Sequence, residues 1–177
     1  MAVPNFLVRD IMTHLVVTAE PATLLLDAAL AMRASSIRHL PVVEDGRLVG
    51  LLTDRDTQRC APSRLIPISE EEYNAVFANT SVNRVMTRKP LSIAPDAPLL
   101  AAIESMQQTR YGCLPVVEGE QLVGILTRSD LVDVLQRVLS GGGTAPPTWA
   151  SFMSVFLTSN PGRHGQLRQT ITTNLVS

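Results

Sequence analysis

The sequence predicts an α/β fold built from two β-α-β-β-α repeats packed with pseudo-twofold symmetry. Three observations carry that prediction. Residues 8–56 align with residues 82–130 without a gap at an offset of 74, with 19 identities in 49 positions. Each copy shows apolar residues at helical spacing and then two short apolar runs joined by a tight-turn pair. A unit of about 50 residues buries too little surface to be stable alone, so the two copies are expected to pack sheet against sheet as one folding unit.

Within each repeat a β-branched stretch comes first, Val16-Val17-Thr18 or Leu91-Ser92-Ile93, and leads to Pro21 or Pro95. A helix follows on Leu25, Ala28, Ala29 and Met32, or on Leu99, Ala102, Ile103 and Met106. Thr23 is the expected N-cap of the first, and Pro98 stands at the start of the second, where its missing N–H costs nothing. Two apolar runs, Leu40 to Val43 and Leu48 to Leu52, flank Asp45-Gly46, a dipeptide that tolerates the positive φ of a hairpin turn; Gly119-Glu120 takes that place in the second copy. A closing helix is expected after Thr53 and after Thr127, with Leu131, Val134, Leu135 and Val138 on one face of the second. The resulting division is repeat 1 over 8–60, a connector with a short helix over 61–81, repeat 2 over 82–139, and a linker and tail over 140–177.

Composition narrows the function. Of the 177 residues 45% are apolar and 18% charged, which suits a packed core rather than a disordered chain. Fifteen basic against sixteen acidic residues give a net charge of -1, without the positive excess that nucleic acid requires. Cys60 and Cys113 have no second Cys or His at ligand spacing, so neither a disulfide framework nor a metal site is expected. The N-terminus shows no signal peptide, and the apolar stretch from Val138 to Gly162 is broken by Gly141 to Gly143 and Pro146-Pro147, so no membrane span and a cytoplasmic location are expected. No nucleophile motif is present, and His14 and His164 are isolated, so the chain does not read as an enzyme.

The strongest block reads HLPVVEDGRLVGLLTDRD (His39 to Asp56) against CLPVVEGEQLVGILTRSD (Cys113 to Asp130), and both copies open on Met-Thr, at Met12-Thr13 and Met86-Thr87. With Leu-Pro-Val-Val and Gly-x-x-Thr-x-x-Asp (Gly50, Thr53, Asp56; Gly124, Thr127, Asp130) each present twice in the same order, the chain resembles a tandem CBS-domain protein over residues 8–139. Its connector, with Pro62, Pro67 and a capping box from Ser69 to Glu72 ahead of Tyr73, Val76 and Phe77, is similar to CBS proteins of the acetoin-utilisation type.

The resemblance implies a regulatory module that binds AMP, ADP, ATP or S-adenosylmethionine in clefts between the paired units, with no resident cofactor. It also implies a homodimer associated through its helices, and an effector protein as a further partner. The residues support a nucleotide grip. A Gly lets a ligand approach the strand backbone, and the hydroxyls of Thr53 and Thr127 lie beside helix-start amides that suit a phosphate. Asp56 and Asp130 can accept both hydroxyls of a ribose. The plainer reading makes these Thr residues N-caps and the Asp residues dipole partners. By similarity to the family, adenine is expected against Val17, Thr18, Ile37 and Arg38 in one cleft and against Leu91, Ser92, Tyr111 and Gly112 in the other, each set facing the Thr and Asp of the opposite repeat. Arg38 and His39 offer phosphate donors where repeat 2 has Gly112 and Cys113, so the clefts are not equivalent. Cys113 reads as a small core residue. In the tail, Trp149, Phe152, Met153 and Phe156 recur at helical spacing and call for a partner, the simplest being the protein's own core. The alternative function is an adaptor that holds a transporter or enzyme and binds no nucleotide.

Overall fold

The structure, a computed structural model, describes residues 6–61 and 69–139. Repeat 1 contributes α1 (Leu25–Ala34), β1 (His39–Glu44), β2 (Arg47–Thr53) and α2 (Asp54–Cys60). The connector carries α3 (Glu70–Ala78), and a short β3 (Thr87–Arg88) follows. Repeat 2 contributes α4 (Leu99–Thr109), β4 (Cys113–Glu118), β5 (Gln121–Thr127) and α5 (Arg128–Leu139). The expected features at Pro62 and Pro67 and in the tail from 140 to 177 lie outside the described residues.

The helical stripes are buried as their spacing requires: Leu25, Ala28 and Met32 on α1, and Leu99, Ala102 and Met106 on α4. Leu40, Val42 and Leu52 close on the first stripe, Leu114, Val116 and Leu126 on the second. On α5, Leu131 and Val134 pack inward, whereas Leu135 and Val138 point outward; the row is split because a helix face against one core is narrower than the four residues expected there. Thr23 is not the cap of α1. Its hydroxyl accepts from the Glu20 N–H at 3.0 Å, one turn upstream, and Leu24 holds the cap position with no side-chain bond. The chain supplies an acceptor from elsewhere: the N–H of Leu25 donates to the Thr80 carbonyl at 2.7 Å, and that of Leu99 to the Phe6 carbonyl at 2.8 Å.

Both hairpins are antiparallel with the same irregularity, at Val42/Val43 and at Val116/Val117. Asp45 and Gly46 have φ of 51° and 79°, the two positive values that a primed turn needs. The hairpins meet at their tips, where Arg47 pairs with Gln121 and Leu48 N–H reaches the Glu120 carbonyl at 3.0 Å. The strands thus run in the order β1-β2-β5-β4 with β3 on β2, the two hairpins being linked through the single pair Arg47–Gln121 while each buries an apolar face under its own helix. The opening strand of each repeat is minimal. It is a single parallel bridge, Ala19 with Val42 and Ile93 with Val116, on a segment that has to travel between the halves.

That crossing is what binds the repeats. Val8, Ile11 and Met12, which precede repeat 1's first bridge, lie in the core of repeat 2, and Val82 and Met86 lie in the core of repeat 1. Thr13 exchanges both backbone bonds with Ile125, at 2.9 and 3.0 Å, and Thr87 pairs with Leu51 at the equivalent place. Each core is completed by the other half's opening segment.

Candidate ligand-binding site

The two Gly-x-x-Thr-x-x-Asp motifs sit where β2 enters α2 and where β5 enters α5. Thr53 is the N-cap of α2: its Oγ1 accepts from the Asp56 N–H at 3.3 Å and donates to Asp56 Oδ2 at 2.6 Å, while its own N–H donates to the same oxygen at 3.0 Å. Thr127 and Asp130 repeat this at 3.5, 2.7 and 2.6 Å. One carboxylate oxygen of each Asp is thus spent on the helix start. On Asp130 the second oxygen, Oδ1, is met at 3.4 Å by the hydroxyl of Thr13, a residue from the opposite half. Burial pushes the Asp130 carboxyl up, with Asp133 acting in the same direction, against the bonds from Thr127 and Thr13.

The glycines of the motif lie against the crossing segments. A Cβ on Gly124 would stand 2.6 Å from Met12 Sδ and 3.1 Å from the Thr13 carbonyl, and one on Gly50 would run into Met86 Sδ. The bare backbone admits the methionine of the crossing Met-Thr pair. The Met-Thr and Gly-x-x-Thr-x-x-Asp motifs are therefore two sides of one joint.

Val17 and Thr18, both exposed, lie on the stretch between the Thr13 contact with Ile125 and Asp130 and the Ala19 bridge to β1, so the chain carries them from the Thr127–Asp130 pair of the opposite repeat. Leu91, exposed, and Ser92, half-buried, lie likewise between β3 on β2 and the Ile93 bridge to β4. Arg38 is placed otherwise. Its carbonyl accepts from the Asp54 N–H at 3.0 Å in its own repeat, because the hairpin register sets His39 opposite Thr53; Gly112 takes the Arg128 N–H at 3.1 Å in the same way. Ile37 is half-buried, and Tyr111 and Arg38 are exposed.

The pseudo-twofold relation breaks at His39. This half-buried ring extends across to repeat 2, where a Cβ on Gly112 would come within 3.0 Å of its Nε2. Burial lowers its pKa first, and the neighbouring guanidiniums of Arg38 and Arg128 lower it further. Two arginines and an imidazole at one junction favour an anion. The equivalent of His39 is Cys113, whose buried thiol is pushed up to about 12, in keeping with a core residue.

The family model of the CBS domain matches residues 8–59 and again residues 82–137. The chain belongs to the CBS domain family. This CBS pair is 36% identical over 135 residues, 75% of its length, to a CBS domain-containing protein of Dictyostelium discoideum, and the match spans 93% of that protein. In a homoserine O-acetyltransferase of Methanococcoides burtonii the matched part is 24% of the relative, at 32% identity over 72% of this chain. Among solved structures, that of an AcuB-type acetoin utilization protein from Vibrio cholerae superposes with a TM-score of 0.65 at 33% identity, covering 77% of this chain and 95% of that one. The structure of CBSX2 from Arabidopsis thaliana in complex with AMP gives 0.63 at 27% identity over 76% of this chain and 98% of that one. The CBS pair of protein MJ0100 in complex with 5'-methylthioadenosine and S-adenosyl-L-methionine gives 0.61 at 26% identity over 79% and 100%.

Two residues of this CBS pair's junction escape a reading of motifs. Thr13 was visible only as half of Met-Thr, and nothing local ties it to Asp130. Arg128 had a signal: at the first position of the closing helix the aligned repeats carry Asp54 and Arg128, opposite charges in an otherwise matched block.

Proposed function

We propose that this CBS pair is a regulatory module that binds an adenine nucleotide or related adenosyl ligand, AMP, ADP, ATP or S-adenosylmethionine, in the clefts between its repeats. Its message to an effector protein is a shift in how its subunits or that partner bind. The observation that carries this reading is the Thr-Asp pair at a helix start with the opposite half's crossing segment laid against it, Thr13 on Asp130. In that arrangement Asp56 and Asp130 receive the ribose hydroxyls, and the hydroxyls of Thr53 and Thr127 stand beside the phosphate. Val17, Thr18, Ile37, Leu91, Ser92, Tyr111 and Gly112 border the base, and Arg38 and His39 hold anionic oxygens in one cleft, joined there by Arg128. The neighbours crystallised with AMP and with S-adenosylmethionine support the ligand class.

A homodimer associated through its helices belongs to the same reading; sedimentation then returns twice the chain mass of 19.2 kDa. A cytoplasmic site of action is also part of it. Among the described residues no helix is long and apolar enough to cross a membrane.

One observation favours a second reading, an adaptor that binds no nucleotide: the Thr hydroxyls and one oxygen of each Asp are already used in capping. Titration calorimetry with AMP, ATP and S-adenosylmethionine separates the two. Binding is expected for at least one ligand, weakened about 10- to 100-fold by Asp56→Ala or Asp130→Ala, whichever lines the occupied cleft, as loss of a hydrogen bond to a charged group implies. No heat with any of the three leaves the adaptor.

A further inference from the structure

At the start of the closing helix the two repeats differ in charge. Repeat 1 has Asp54 at the first position of α2, and repeat 2 has Arg128 at the first position of α5. Asp54 is engaged within its own helix, where its Oδ2 accepts from Gln58 Nε2 at 2.7 Å. Arg128 has no such arrangement. The first turn of a helix carries the positive end of its dipole and favours an acid, so a guanidinium there costs stability. Among the described residues no ion pair to Arg128 or to Arg38 offsets that cost.

The surroundings of Arg128 add to it. Its N–H donates to the Gly112 carbonyl at 3.1 Å, and Gly112 is where the His39 ring crosses: a Cβ there would stand 3.0 Å from Nε2 and 3.2 Å from Cε1. The charges that act on His39 are both positive, Arg38 beside it in the chain and Arg128 from α5. Thr53, its partner across β1 and β2, and Gly112 carry none, and Cys113 next to Gly112 is a buried, neutral thiol. Two guanidiniums and an imidazole drawn together without an acid form a mutually repelling set, and an anion between them turns each repulsion into an attraction. Arg38 and Arg128 are exposed, so a solute reaches them.

The number of charges points to the kind of anion. A terminal phosphate carries about two negative charges at neutral pH, which the two arginines match. A second phosphate brings more, and the group left to meet it is His39, whose ring is kept neutral by burial and by the same two arginines until an anion offsets them. S-adenosylmethionine carries a sulfonium cation, which this set repels.

Resting on the nucleotide reading above, we propose that Arg128, with Arg38 and His39, selects the ligand of this cleft by negative charge: an adenosine di- or triphosphate is preferred over AMP, S-adenosylmethionine is turned away, and His39 takes up a proton from solvent as the second phosphate binds. Titration calorimetry of the full chain with adenosine, AMP and ADP at pH 6.5, the ordinary value for the ring, tests this. Affinity is expected to rise from adenosine to AMP to ADP, and an excess of S-adenosylmethionine should leave the ADP titration unchanged. Repeating the ADP titration in buffers of different ionisation enthalpy counts protons, and the natural protein should take up more of them than His39→Gln. Arg128→Asp, which gives repeat 2 the residue of repeat 1, should lower the ADP-to-adenosine affinity ratio about 10-fold, as loss of a charged hydrogen-bond partner implies. Arg128→Lys, which keeps the charge, should retain most of the ratio. If adenosine and ADP bind alike, nucleoside binding stands and charge selection falls. The proposal also falls if the ratio survives Arg128→Asp, if S-adenosylmethionine displaces ADP, or if proton uptake is the same in His39→Gln and the natural protein. Silence from all the ligands instead removes the nucleotide reading itself, and this selection with it.

Discussion

At Asp130 one side chain both starts a helix and ties the halves together, through Thr127 on Oδ2 and Thr13 on Oδ1. Because burial pushes its carboxyl up from 3.8, the folded protein holds that proton more tightly than the unfolded chain. Its contribution to stability is then full below 3.8 and is lost as pH rises through the raised value. Relative to Asp130→Asn, the natural protein should therefore gain stability as pH falls from neutral toward 3.8, as urea midpoints of both proteins will show. His39 has the opposite sign. Its pKa lies below 6.5, so its contribution is present above 6.5 and lost as pH falls through the lowered value. His39→Gln should remove that part of the acid sensitivity, and an unchanged midpoint profile below 6.5 would show that neither burial nor the charges of Arg38 and Arg128 disfavour the imidazolium.

Between elements, the tightest constraint is the passage of Met12 over Gly124. Gly124→Ala puts a methyl against Met12 Sδ and the Thr13 carbonyl, and the second of these is backbone that cannot swing aside. The expected cost is about 1–3 kcal/mol. Combined with Met12→Ala, which itself costs about 2–5 kcal/mol by opening a cavity, the pair should fall short of the sum, since the truncated side chain relieves the clash. Gly119→Ala serves as the control, because nothing lies within 4 Å of its Cβ and only the φ of 64° opposes it, a cost of about 1–2 kcal/mol. Chemical denaturation of the four proteins measures all of these. If Gly124→Ala costs no more than Gly119→Ala, the Met12 passage does not hold β5 against the crossing segment.

At the scale of the molecule, the described residues form two hydrophobic cores, and neither belongs to one repeat alone. Val8 is fully buried in the second and Val82 in the first. Val8→Ala and Val82→Ala should each cost about 2 kcal/mol from lost methyl burial and the cavity left. Both should lower the same single unfolding transition, because undoing either core withdraws the segment that completes the other. A scan that splits into two transitions in either variant would show that the repeats fold independently. On the proposed function, coupling of this kind would give a ligand at one cleft a mechanical route to the other half, through the short stretches 13–19 and 87–93.

The repeat, the order of helices and hairpins, the Asp45-Gly46 turn and the Thr-Asp helix starts were all legible in the residues. Each of those depends on spacing and on residues within a few positions of one another, and periodicity and turn chemistry record such things directly. Where the opening segments go is not legible in this way. Val8 matches Val82 and Met12 matches Met86, so either core accepts either segment equally well, and the local pattern is satisfied both ways. Their crossing is fixed by packing between the halves, where Gly50 and Gly124 leave room for the methionine of the other half. The same holds for the set of charges around His39: Arg38 is its neighbour in sequence, but Arg128 is brought there by the joint between the repeats, through contacts that no local spacing encodes.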